Sequence, residues 1–263
     1  MNLAYFLGLL DRFFTEPVWL ISSKKGTVIM EIRDKVVLIT GASAGIGLAT
    51  VRCFATVGAK LALVARSADA LNHLAKELHS QGIDAVAMPA DVSDPKQVEG
   101  VIEETVRRFG CLDVLINNVG QAVVGKVADL NPDDFRKILD LNVLGPLAAM
   151  QSAIPVMRGQ GGGLIINISS VVSKMHIAGL GAYAATKAAL NMISDTARDE
   201  LASDQIRVVT VYPRSTATDF GKNALGAREQ QRQGSSSPTD TPEMVAEKIL
   251  AAALHEPDEQ YMD

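Results

Sequence analysis

Six short apolar or β-branched runs punctuate the chain from Lys35 onward: KVVLIT (35–40), KLALVA (60–65), DAVAMP (84–89), LDVLIN (112–117), GLIINIS (163–169) and IRVVTVY (206–212). Their apolar character is continuous rather than alternating, which suits strands buried on both faces, as in a parallel sheet. Helix-length segments lie between them. ADALNHLAKELHSQG runs into Gly82, a suitable C-terminal stop. SDPKQVEGVIEETVRRFG offers Ser93 or Asp94 as a cap, places Pro95 in the first turn and ends on Gly110. The repeated β–α phasing predicts an α/β fold: a single doubly wound parallel sheet of six to seven strands with helices on both faces. No composition break interrupts residues 30–263, which read as one domain. The polar stretch GKNALGAREQQRQGSSSPTDTP (221–242) reads as a mobile loop rather than a boundary.

The N-terminal stretch is different. MNLAYFLGLLDRFFTEPVWLISSKKG has apolar patches, but Asp11, Arg12 and Glu16 interrupt them before any membrane-spanning run develops. No basic start precedes LAYFLGLL, as a signal peptide would require. Residues 1–29 are open to three readings. They form an amphipathic segment on a membrane surface, a helix docked on the domain or a partner, or sequence upstream of a domain that starts at Met30.

Composition narrows the classes. The chain is 48% hydrophobic and 21% charged, ordinary values for a protein with a large core. A net charge of −5 without any Lys/Arg block leaves no nucleic-acid footprint. Two cysteines, Cys53 and Cys111, make no disulfide framework and fit a reducing, cytoplasmic setting. Cys53 reads as a helix core residue and Cys111 as the start of a strand. The four histidines do not cluster with Cys or acidic residues at ligand spacing, so no metal is inferred.

The first strand runs straight into Thr40-Gly41-Ala42-Ser43-Ala44-Gly45-Ile46-Gly47 and then into a helical pattern. Glycines at a strand-to-helix turn can serve packing alone. In this position they also permit close approach of backbone N–H groups to a phosphate at a helix N-terminus. The second strand ends Val64-Ala65-Arg66-Ser67. An acidic side chain there would take the ribose hydroxyls of NAD. Arg66 instead offers a donor fork suited to a 2′-phosphate, so NADP(H) is favoured over NAD(H).

Seven motifs in order, TGASAGIG (40–47), Asp91-Val92, NNVG (117–120), LNVLG (141–145), INISS (166–170), YAATK (183–187) and YPRSTAT (212–218), resemble the short-chain dehydrogenase/reductase family over roughly residues 30–255. The resemblance implies an NAD(P)-dependent oxidoreductase on one Rossmann-type domain, acting on a small-molecule carbonyl or alcohol, as a homodimer or homotetramer. It places the catalytic roles on Tyr183, Lys187, Ser170 and Asn142. It places cofactor contacts on Gly41, Ser43, Gly45, Ile46, Gly47, Arg66, Asp91, Val92, Asn118, Val119, Gly120, Pro213, Thr216 and Thr218, with Tyr183 and Lys187 shared. By the same likeness, Asp91 and Val92 contact adenine, Asn117 to Gly120 flank the adenosine ribose, and Asn142 holds a water that connects Lys187 to solvent.

The chain departs from the family pattern at several points. Val119 replaces an alanine, Arg214 follows Pro213 where glycine is usual, and Ala44 stands where many NADP-preferring members carry a basic residue. The chain ends at EQYMD, about where the last strand would begin, so a seventh strand must be short or absent.

Residues four apart on a helix share a face, so Tyr183 and Lys187 can act on one site. A phenol with a pKa of ~10 needs roughly 4 kcal/mol of differential stabilisation to titrate near pH ~7. The expectation is that the Lys187 ammonium supplies it, together with the positive nicotinamide. Ser169 would point to the opposite face from Ser170 if the strand continues. The alanines around the pair favour the helix and permit close approach of cofactor or a second subunit's helix. His176 reads as a solvated loop residue or as part of the substrate mouth. The competing class is a non-catalytic NADP(H)-binding redox-sensing regulator, against which an intact Ser–Tyr–Lys–Asn set argues.

Overall fold

The computed structural model describes residues 31–226 and 239–262. The readings of residues 1–29, and most of the polar loop after 226, lie outside the described residues. From the N-terminal side the elements are β1 Val36–Thr40, α1 Gly45–Thr56, β2 Lys60–Ala65, α2 Ala68–Ser80, β3 Ala85–Pro89, α3 Pro95–Phe109 and β4 Val114–Asn117. They continue with β5 Val123–Val124, α4 Pro132–Leu139, a π-helical turn Asp140–Leu144, α5 Gly145–Gly159, β6 Gly163–Ile168 and α6 Gly181–Leu201. The last are β7 Ile206–Tyr212, β8 Leu225–Gly226, α7 Pro242–His255 and β9 Glu259–Tyr261.

Seven strands form one sheet in the order β3-β2-β1-β4-β6-β7-β9, parallel at every pairing. The continuous apolar runs have the predicted consequence. In β1, Val37 and Ile39 pack into a core with Phe54 of α1, Leu71 and Leu78 of α2, and Ile249 of α7. Leu38 packs on the opposite face with Ile102 of α3, Met150 and Met157 of α5, and Leu201 of α6. Helices therefore cover both faces, and each fully buried Leu, Ile or Phe contributes on the order of 2 kcal/mol of transfer free energy. The seventh strand is short: Glu259–Tyr261 pairs with Thr210–Tyr212.

Local chemistry sets the helix ends. Asp94, rather than Ser93, caps α3 by accepting from Lys96 N, while Ser93 bonds Asp91. Gly110 ends that helix in the left-handed region, at φ 86°. The loop after β7 is tied down at its front edge. Leu225–Gly226 pairs with Val123–Val124, and Gln121 Nε2 donates to Asn223 O at 2.7 Å. Residues 221–226, the front of the stretch read as a mobile loop, thus pair with the segment after β4. Among the described residues no helix is long and apolar enough to cross a membrane.

Candidate active site

The site lies at the carboxyl ends of the strands, where doubly wound sheets bind ligands. β1 delivers the glycine loop. Gly41 and Gly45 adopt φ values of 71° and 52°, which favour glycine. A Cβ on Gly47 would stand 2.1 Å from Gly41 O and 2.6 Å from Asn118 Nδ2, so only glycine lets α1 approach the loop this closely. A Cβ on Gly45 would meet Thr218 Cγ2 at 3.1 Å, which brings the loop after β7 against the glycine loop. The N-terminus of α1 has no side-chain cap and no acidic residue in its first turn. Its N–H groups and positive dipole end are arranged to receive an anion, and this cradle fits a dinucleotide's phosphates. Ser43 and Ile46 sit half-buried within the loop.

Thr40 is a hub that sequence reasoning left without a role. Its hydroxyl donates to Ile116 O at 3.3 Å and accepts from the N–H groups of Asn118 at 2.9 Å and Val119 at 3.2 Å. Asn118 Nδ2 donates to Thr40 O at 2.9 Å. The NNVG segment is thereby locked to the end of β1, and the Asn118 side chain is spent on the protein. Asn117 is buried and donates to Asn167, which donates to Ser194 of α6.

At the far side, Arg66 is exposed at the end of β2. The Ser93 N–H, the Ser93 hydroxyl and nearby Arg66 hold the Asp91 carboxyl below its ordinary range, with partial burial working against them. Val92 turns its side chain into the core, packed with Leu38 and Val64, so only its backbone faces outward as a contact.

The catalytic candidates converge from β6, α6 and the π turn. Ser170, in extended conformation at φ −166°, caps the turn Val171–Lys174 by accepting from Val172 N, and its side chain is near enough to Tyr183 to favour the phenolate. Ser169 points the other way and donates to Asn191 Oδ1 at 2.5 Å, as strand alternation requires. Tyr183 and Lys187 are both buried on the inner face of α6. Lys187 Nζ donates to Ile168 O at 2.8 Å and stands 3.3 Å from where a Gly120 Cβ would lie; Asn142 Oδ1 is 3.5 Å from the same point. A side chain on Gly120 would crowd both. Asn142 accepts from Gln121 N and donates to Gln121 O and Thr186 Oγ1, which anchors the π turn to the NNVG loop and to α6.

Burial acts on both members of the Tyr183–Lys187 pair. Burial pushes the Tyr183 phenol up to about 12, and the Ser170 hydrogen bond only partly opposes it. Lys187 lies one turn further along the same helix. Its ammonium is drawn to a carbonyl, and burial lowers its own pKa to about 8. Desolvation thus disfavours the charged form of both groups, the cost that the Lys187 ammonium and the positive nicotinamide are expected to offset for Tyr183.

Several supporting residues carried no sequence signal. Phe220, in the loop after β7, lays its ring 5.6 Å from that of Tyr183 at 56°. Arg214 makes a bidentate pair with Asp240, which is 3% exposed. Asp240 O in turn accepts from Ala217 N, and Asp240 N donates to Ser215 O. This pair ties the Pro213–Thr218 segment to the start of α7. Thr216 lies within it, and Pro213 O accepts from Val171 N. Glu259 of β9 accepts from Lys174 at 2.6 Å, Tyr212 at 2.8 Å and Tyr261 at 2.9 Å, while the two tyrosine rings stack at 4.6 Å. That cluster grips the end of the turn that Ser170 caps. His176 is exposed.

Cys53 is part-buried in α1, and burial pushes its thiol up to about 11. Cys111 precedes β4, with Sγ 3.5 Å from Asp113 Oδ2.

Residues 35–229 match the short chain dehydrogenase family, and the chain belongs to it. The NADP-dependent 3-hydroxy acid dehydrogenase of Schizosaccharomyces pombe is 37% identical over 223 residues, 83% of this chain and 86% of that protein. L-Sorbose reductase from Gluconobacter frateurii, solved with NADPH and L-sorbose, superposes with a TM-score of 0.79 at 28% identity, covering 89% of this chain and 97% of that one. A 7α-hydroxysteroid dehydrogenase solved with NADH and 7-oxo glycochenodeoxycholic acid gives 0.80 at 27% identity, over 88% and 94% of the chains. The protein is an NAD(P)-dependent oxidoreductase acting on hydroxyl or carbonyl groups of small molecules.

Proposed function

We propose that this chain is an NADP(H)-dependent carbonyl reductase or alcohol dehydrogenase in which Tyr183, Ser170, Lys187 and Asn142 form the active site, with residues 30–263 as the catalytic unit. The observation that carries the proposal is the burial of Ser170, Tyr183 and Lys187 together, with Lys187 one turn along the helix from Tyr183 and its Nζ on Ile168 O, two residues before Ser170. When bound, the nicotinamide supplies the hydride that adds to the carbonyl carbon. Tyr183 gives its proton to the carbonyl oxygen, and Ser170 donates to the same oxygen and orients it. Lys187 uses one N–H on Ile168 O and keeps donors for the ribose hydroxyls. Asn142 fixes the loop that carries Gly120 beside Lys187 and supports the relay that returns a proton to Tyr183.

A phenol held near 12 is protonated at neutral pH, the form that reduction uses. Oxidation would need it lowered by about five units, roughly 7 kcal/mol at about 1.4 per unit. Positive charge on the nicotinamide and on Lys187 favours that direction. The preference for NADP(H) rests on exposed Arg66 and on the absence of a carboxylate in 64–67. The NADP named for the yeast relative and the NADPH bound to L-sorbose reductase agree with it.

Pairing of copies into a dimer or tetramer is supported by an apolar groove between α5 and α6, lined by Leu147, Ile154, Met192, Ile193 and Ala197. Met192 is 68% exposed there.

Tyr183→Phe tests the reading: turnover should fall about a hundredfold or more while NADPH binding persists. Retained turnover refutes the mechanism. Tight NADPH binding by the wild type without reduction of any carbonyl would favour the regulator instead.

A further inference from the structure

We propose that the carbonyl substrate carries an apolar, uncharged body next to the reacting carbon, as in a hydrophobic ketone or aldehyde or a neutral ester of an oxo acid. This inference rests on the reading of Tyr183 as the group that protonates the carbonyl oxygen.

The side chains clustered on Tyr183 are Ala122, Val124, Val172 and Ala224, and the Phe220 ring completes the set. They come from three separate segments, after β4, after β6 and after β7, and form an apolar wall beside the Ser170 hydroxyl. A carbonyl placed at Tyr183 and Ser170 must rest its flanking groups against this wall. Among the described residues, several polar groups on the same segments are engaged with the protein. Gln121 Nε2 donates to Asn223 O, and Ser173 Oγ donates to Ser170 O and accepts from Asn191. Three cations on the described parts of these segments are paired as well. Lys174 pairs with Glu259, Arg214 with Asp240 and Lys222 with Asp219. A substrate carboxylate or a row of hydroxyls would lose its hydration here and gain little, which disfavours it strongly.

The rim continues the pattern. Met175 and Ile177, 51% and 40% exposed, follow Ser170's turn, and Phe220 is 37% exposed on the facing loop. Exposed large apolar residues gathered on the segments around one site mark an apolar ligand. Lys126 and His176 stand exposed to solvent on these segments, where an anion would keep its water.

The test uses the full chain with NADPH and a matched panel: aliphatic methyl ketones of increasing length, a phenyl ketone, a β-keto carboxylate with its ethyl ester, and a ketose. The kcat/KM should rise about fourfold per added methylene, the transfer value of one CH2, until the wall is covered. The ester should exceed its free acid by about tenfold or more, with the ketose as the poorest substrate. Phe220→Ser should flatten the chain-length dependence and Phe220→Leu should keep it, with NADPH affinity unchanged in both. A carboxylate or ketose turned over as well as the ester overturns the apolar wall while leaving the proposed chemistry standing, as does a flat length series. No turnover of any panel member despite NADPH binding overturns both.

Discussion

Lys187 donates its Nζ to the carbonyl of Ile168 at 2.8 Å, with its side chain almost wholly buried at the end of β6. An ammonium in this position is held by a neutral dipole, and burial lowers its pKa from 10.5 to about 8. The sign of the linkage follows. Between about pH 8 and 10 the unfolded chain keeps a proton that the folded one has released, so unfolding free energy should rise with pH, by up to about 1.4 kcal/mol per unit. Below pH ~8 both states carry the proton and the contribution is flat. Urea unfolding of the wild type and Lys187→Met across this range should show the wild type gaining on the variant above pH ~8. Parallel curves would remove the buried-charge account.

Arg66, exposed at the end of β2, is the residue proposed to hold the 2′-phosphate. Arg66→Asp should lower the NADP(H) over NAD(H) preference in kcat/KM by about 100-fold, because a charge-assisted fork is replaced by like-charge repulsion. An unchanged ratio would place the 2′-phosphate elsewhere.

The Arg214–Asp240 pair hangs the segment that carries Thr216 and Thr218 from the start of α7. Asp240→Asn should cost about 2 kcal/mol and raise KM for NADPH several-fold with a smaller change in kcat. Arg214→Lys, which keeps charge but loses the fork, should fall between. If NADPH affinity does not move in either variant, the segment is positioned by other contacts.

Glu259 holds Lys174 at the end of the turn that Ser170 caps, and through that turn it is expected to position Ser170. Glu259→Gln should reduce kcat several-fold, leave the Kd for NADPH unchanged and lower stability by about 1 kcal/mol. Lys174→Met should have the same effect, and the double variant should be little worse than either alone. Additive losses would show that the two residues act separately.

The β–α order, the double burial of each strand and the parallel sheet were legible because they are local. A run such as VVLIT has no polar face to show to water, and Asp94 and Gly110 mark helix ends with their own side chain or φ. The glycine loop and the Tyr183/Lys187 pair were legible for the same reason: spacing along one turn or one helix face is fixed by backbone geometry.

Contacts between segments far apart in the chain were not. Thr40 with Asn118, Phe220 on Tyr183, Arg214 with Asp240 and Glu259 with Lys174 join residues that no local period relates. Each depends on which strand ends the sheet order brings side by side.

The sequence by itself determined the alternation of elements, the family likeness and the residue types of the catalytic set. Only the tertiary structure decided the electrostatic state of that set. Desolvation is a property of the packed interior, and there it raises the Tyr183 phenol and lowers the Lys187 ammonium, which spacing along a helix does not reveal.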